Sequence, residues 1–163
     1  MKRLPHFVQS PLLRSVPGVY HAFLGVDPVE GRGRRERLRE VFSLPAETVG
    51  TLKQVHSASV LSFEPGDGDV AGGWKREGDA LWTASPGTGV GVHTADCVPI
   101  LLAHRKIPVA AAVHAGWRGL AAGIPAEQAE GAGPCTICSP VFHSFRREKS
   151  ATARQLSFLH IRD

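Results

Sequence analysis

Two nearly continuous apolar runs of strand length, VPILLAH at 98–104 and PVAAAVHAG at 108–116, constrain the fold of this chain more than any other feature. No apolar run approaches the roughly 18 residues needed to cross a bilayer, so these segments must find their cover within protein. They read as strands buried on both faces. Shorter β-like runs precede them: TVGTLKQV at 48–55, SASVLSF at 57–63, DALWTAS at 79–85 and GVGVHTA at 89–95, with an exposed glycine-rich loop over 64–78. Residues 117–123 open a short helix directly after the last apolar run. Strand, tight loop and helix in this succession predict a mixed α/β or α+β fold, with mixed β-sheets flanked by helices.

The 18 glycines and 12 prolines punctuate the chain rather than gathering in one linker, and there is no internal repeat. A chain of 163 residues buries about 68–70% of its unfolded surface, enough for one domain over 1–163 without disulfide or metal staples. Residues 27–42 read as a helix, with Asp27 as N-cap, Pro28 in the first turn and Leu38, Val41 and Phe42 on one side. Arg32, Arg34, Arg35, Arg37 and Arg39 within it read as a solvated helix face, with an anion-binding patch as the alternative.

A net charge of +4 is mild for a nucleic-acid binder, and no aromatic-basic interleaving accompanies the arginine run, so no nucleic-acid partner is expected. The basic N-terminus lacks the apolar stretch of a secretory signal, and three cysteines do not make a paired secreted framework. The expectation is a cytoplasmic chain with reduced thiols and no membrane association.

His56, Cys97 and His114 stand at the ends of β-like runs rather than inside them. One thiolate and two imidazoles are good zinc donors, and three protein ligands leave a fourth position open for water or substrate, the pattern of a catalytic site. Separations of 41 and 17 residues carry no local metal signature. Cys97 as a thiolate nucleophile with His114 or His56 as base uses the same residues without metal. The third reading is structural, a buried cysteine beside hydrogen-bonded core histidines. His93 is a spare candidate that reads as structural. Cys135 and Cys138 form a lone C-x-x-C, weak evidence for a zinc knuckle or redox pair.

Four blocks in order, LKQVHS at 52–57, GDALWT at 78–83, TADCVPILL at 94–102 and VHAGWRGLAAGI at 113–124, resemble the YfiH-like family of multicopper polyphenol oxidase or laccase domain proteins, described as purine nucleoside phosphorylases with adenosine deaminase activity. The resemblance implies that His56, Cys97 and His114 are the catalytic metal ligands, with zinc, or copper, as the ion. It implies purine nucleosides and phosphate as substrates. Arg118 in HAGWRG is then the cation placed to bind substrate and phosphate, its other reading being a structural ion pair. Asp79 and Asp96 are the acidic groups expected to orient ligand histidines. Trp82 and Trp117 can stack on a purine, though aromatics beside apolar strands more often pack in a core.

GVYHAFLG at 18–25 resembles the family's opening strand, and the segment from Cys135 to the C-terminus resembles its last block, with Phe142, Ser144, Phe145, Arg146, Arg147, Thr152 and Arg154 matching and Ala153 in place of a glycine. Family segments are missing near 25–27 and 124–135, and Pro125 would break a continuing helix. Lost strands expose sheet edges, so a marginally stable monomer or an obligate homo-oligomer is expected. A non-catalytic remnant of the family is the functional alternative.

Overall fold

The computed structural model describes residues 7–27, 32–67, 75–121, 144, 147, 149 and 154–163. Cys135, Cys138, Pro125, residues 28–31 and the middle of the 64–78 loop lie outside them. Along the chain run β1 (Phe7–Val8), α1 (Pro11–Arg14), β2 (Val19–Leu24), α2 (Arg34–Phe42), a 3-10 turn (Ala46–Thr48), β3 (Val49–Gly50), β4 (Val60–Ser62), β5 (Ala80–Thr83), β6 (Gly89–Thr94), β7 (Val98–Ala103), β8 (Ala110–Ala115), α3 (Trp117–Ala121) and β9 (Gln155–Ile161). This is the expected mixed α+β architecture.

The strands form a five-stranded sheet in the order β1-β2-β9-β6-β3 and a four-stranded sheet in the order β4-β5-β8-β7. Each contains one parallel pair, β3 with β6 and β4 with β5. Period-two alternation sorts the side chains into layers. Val90, Val92, Leu159 and Ile161 of the first sheet pack with Leu81, Leu101, Ala110 and Ala112 of the second. The opposite face of β9 sends Leu156 and Phe158 to Leu38 of α2 and to Ala22, Leu24 and Val49. β9 is central, paired with both β2 and β6, and every residue in it is buried.

The apolar runs divide. β8 is interior to its sheet and covered on both sides as expected, with Val113 and Ala115 joining Ala80 and Ile100 behind the main core. Among the described strands β7 stands at the end of its sheet, and its Val98 and Leu102 are 55% and 39% exposed, so the expectation of burial on both faces fails there. Composition alone does not tell a central strand from an edge.

The helix expected over 27–42 begins later, at Arg34. Gly33 is its N-cap, and the Glu36 carboxylate accepts from the Gly33 N–H at 2.9 Å. Glycines at the expected start disfavour helix, and the Asp27 carboxylate finds a guanidinium instead of a cap: Arg32 grips it at 2.7 and 2.8 Å. The arginine run is not wholly a solvated face either. Arg37 is buried and donates to the Gly25 carbonyl at 2.6 Å.

Candidate metal centre

Asp79 immediately precedes β5 and is 1% exposed. Its carboxylate accepts from the Ser57 N–H at 2.6 Å, the Ser57 hydroxyl at 2.8 Å, the His56 N–H at 3.0 Å and the Val55 N–H at 3.3 Å. It also accepts from His114 Nδ1 at 2.7 Å. Burial pushes this acid's pKa up, but the donors from His114, Ser57 and His56 together outweigh it and hold the group below its ordinary value. Asp79 is therefore ionised at neutral pH. An ionised acceptor requires the proton on His114 Nδ1, which leaves His114 Nε2 as the lone-pair donor. Burial lowers the pKa of His114 more than Asp79 raises it, so the imidazole is neutral, the state a metal ligand needs.

His56 follows in the loop that this carboxylate ties down. Its backbone adopts φ 61°, a left-handed conformation uncommon for a residue with a side chain. The hydrogen bonds from His56 and Ser57 to Asp79 are what hold it there. Gln54, two residues earlier, anchors the same loop to β6: its amide donates to the His93 carbonyl and accepts from the His93 N–H, both at 2.7 Å. His93 itself lies in the sheet interior, where burial, with Arg34 and Arg154 nearby, pushes its pKa down to about 3.

Cys97 lies in the tight loop between β6 and β7. The donor atoms of His56, Cys97 and His114 all fall within 4.8 Å of one another, with exposure rising from His114 through Cys97 to His56. Cys97 Sγ is 3.9 Å from His56 Nε2, and the two imidazole rings stand 4.8 Å apart at 75°. Nitrogen and sulfur donors on one tetrahedral zinc would be about 3.4–3.8 Å apart given its usual bond lengths, so the cluster is close to ligand spacing. Gly116 keeps that space clear: a Cβ there would lie 2.8 Å from His56 Cδ2 and 3.3 Å from Cys97 Sγ. A soft donor set of two nitrogens and a sulfur, a neutral imidazole with its other nitrogen held by a carboxylate, and this cleared pocket fit a zinc or copper ion.

Arg118 lies over the Trp117 ring, 5.3 Å from its centroid, and among the described residues no carboxylate pairs with it. Trp117 is 73% exposed and Trp82 39%, so neither is a core aromatic: Trp117 begins α3 at the surface and Trp82 faces out of its sheet. Asp96 accepts from the Ser144 hydroxyl at 2.7 Å, which ties the C-terminal segment to the Cys97 loop. The carboxylate bonded to a candidate ligand imidazole is that of Asp79, at His114.

A family model described as multi-copper polyphenol oxidoreductase laccase matches residues 24–130 and 120–162. The chain belongs to this family. Among its relatives, a purine nucleoside phosphorylase of Clostridium acetobutylicum is 42% identical over 94 residues, which is 58% of this chain and 36% of that protein. The purine nucleoside phosphorylase YfiH of Escherichia coli is 39% identical over 103 residues, 63% of this chain and 40% of that one. The matched part thus spans 36% to 40% of the length of these curated family members. The crystal structure of YlmD from Geobacillus stearothermophilus shares the fold with a TM-score of 0.80 at 19% identity, over 100% of this chain and 98% of that one.

Gln54, Ser57 and Gly116 carry structural duties at the centre that the sequence reading did not assign. All three lie inside the quoted blocks, beside His56 or His114. Their adjacency to a ligand was the available signal.

Proposed function

We propose that this chain is a metal-dependent purine nucleoside phosphorylase, converting adenosine or inosine and phosphate to free base and ribose 1-phosphate, with adenosine deamination as a side activity. The observation that carries the reading is the His56, Cys97 and His114 cluster with Asp79 behind it. The curated relatives supply the reaction class. The site is read as part of one YfiH-like domain over 1–163.

His56, Cys97 and His114 would hold the ion. Bound there, it supplies a Lewis acid that polarises oxygen and brings the pKa of water towards neutrality. Asp79 keeps the proton on His114 Nδ1 and fixes the His56 loop, so two of the three donors are oriented before substrate arrives. Trp117 offers an exposed face for a purine, and Arg118 beside it offers a cation for phosphate or the developing charge on the departing base.

The Cys97 to His56 contact of 3.9 Å also supports a second reading, a metal-independent thiol hydrolase. Inactivation by iodoacetamide in a sample without stoichiometric zinc would favour it.

The test is to quantify zinc in the purified chain, incubate it with adenosine and phosphate, and separate the products, with Cys97→Ala as control. Adenine reports phosphorolysis and inosine deamination. No product from a folded, zinc-loaded sample overturns the reading and leaves a non-catalytic family member.

A further inference from the structure

We propose that the cleft between the start of α2 and the start of β9 binds a phosphate-type dianion through Arg34 and Arg154. The cleft has a volume of about 250 Å³ and, among the described residues, is lined by Arg32, Arg34, Arg37 and Arg154, with Asp27 as the one carboxylate. Two of the four guanidiniums pair with carboxylates. Arg32 pairs with Asp27 and Glu40, and Arg37 with the Gly25 carbonyl and Asp27. Arg34 donates to the Arg154 backbone carbonyl at 3.1 Å, and among the described residues neither Arg34 nor Arg154 has a carboxylate partner.

Two such cations facing one cleft repel each other, and an anion between them offsets that repulsion. Burial, with the neighbouring Arg154, lowers the pKa of Arg34, a cost that an anion between the two relieves. The planar guanidinium fork matches phosphate oxygens bidentately, which favours a phosphate-type ligand over a spherical anion. The volume suits a tetraoxoanion with a few waters, at about 30 Å³ per water, and falls below the roughly 300 Å³ where whole drug-sized ligands begin. Gln155 of the cleft wall pairs with Thr94 at the end of β6, and Cys97 follows three residues later. The cleft wall and the Cys97 loop thus adjoin the same end of β6. Use of the bound anion as co-substrate rests on the phosphorolysis reading; binding itself does not.

Isothermal titration of inorganic phosphate at constant ionic strength tests this on the full chain, with adenosine 5′-monophosphate as the esterified form. Saturable binding of one phosphate is expected, weakened at least about tenfold in both Arg34→Gln and Arg154→Gln, since each removes a charge-assisted pair. Arg34→Lys, which keeps the charge but not the fork, is expected to recover part of the affinity and guards against a variant that simply misfolds. Tighter binding of inorganic phosphate identifies the free anion as the ligand. Tighter binding of the monophosphate identifies an esterified one, and either preference supports the site if both glutamine variants lose it. Absence of saturable binding, or affinity untouched by both substitutions, overturns the proposal. Anion binding without nucleoside turnover removes the phosphorolysis reading alone, whereas turnover with arginine-independent phosphate affinity removes the anion site alone.

Discussion

Asp79 Oδ1 lies 2.7 Å from His114 Nδ1 while the same carboxylate accepts from His56 and Ser57, so a single buried acid positions two of the three candidate ligands. Asp79→Asn keeps the shape but turns half of the acceptor into a donor that faces His114 and backbone N–H groups. Metal affinity is expected to fall about 10–100-fold, as for other acceptors that orient ligating histidines. Competition with a chromophoric chelator measures it, and unchanged affinity would remove Asp79 from the site.

Gly116→Ala would push a methyl against His56 and Cys97. The expected outcome is weaker metal binding with a melting temperature close to that of the parent, because Gly116 borders the donors and not the main core. Cys97→Ala should lose stoichiometric zinc altogether while keeping the circular dichroism of the parent. Full metal occupancy in Cys97→Ala would sink the ligand set.

Gln54→Ala leaves the His93 N–H and carbonyl without the amide that pairs with both. A loss of about 1–3 kcal/mol is expected from denaturant unfolding, the usual cost of stranding buried polar groups. Stability unchanged within error would mean that water replaces the amide.

His93 and His21 are buried and neutral, and His21 Nε2 accepts from the Ser10 N–H at 2.7 Å. Burial lowers both pKa values, with Arg14 adding to the shift at His21. Below the unfolded value of 6.5 the unfolded chain binds protons that the native chain does not. Stability is thus complete above that pH and falls as acid is added. For His93 the slope is about 1.4 kcal/mol per pH unit, continuing down to about pH 3. Melting curves across this window check the sign, and His93→Leu is expected to flatten the slope.

Val98 and Leu102 of β7, the last described strand of its sheet, are 55% and 39% exposed. Concentration-dependent association in light scattering is the expected consequence, reduced in Leu102→Lys. A compact monomer at every concentration would count against it.

What the sequence determined by itself is local. Apolar runs and their punctuation pointed to strands within 89–95, 98–104 and 108–116, and side-chain chemistry at the ends of β-like runs nominated His56, Cys97 and His114. The blocks around them carried enough identity to imply the family. Tertiary structure decided everything that depends on residues distant in the chain. Among the described strands it put β7 at the end of a sheet and β8 inside it, although both read alike, because burial depends on neighbours that composition does not name. It moved the start of α2 to Arg34, because Asp27 met a guanidinium rather than a helix end. It also gave Asp79, and not Asp96, the bond to His114. Both aspartates stand beside a motif residue, and only the packing of β5 against β8 brings the first within 2.7 Å of the imidazole.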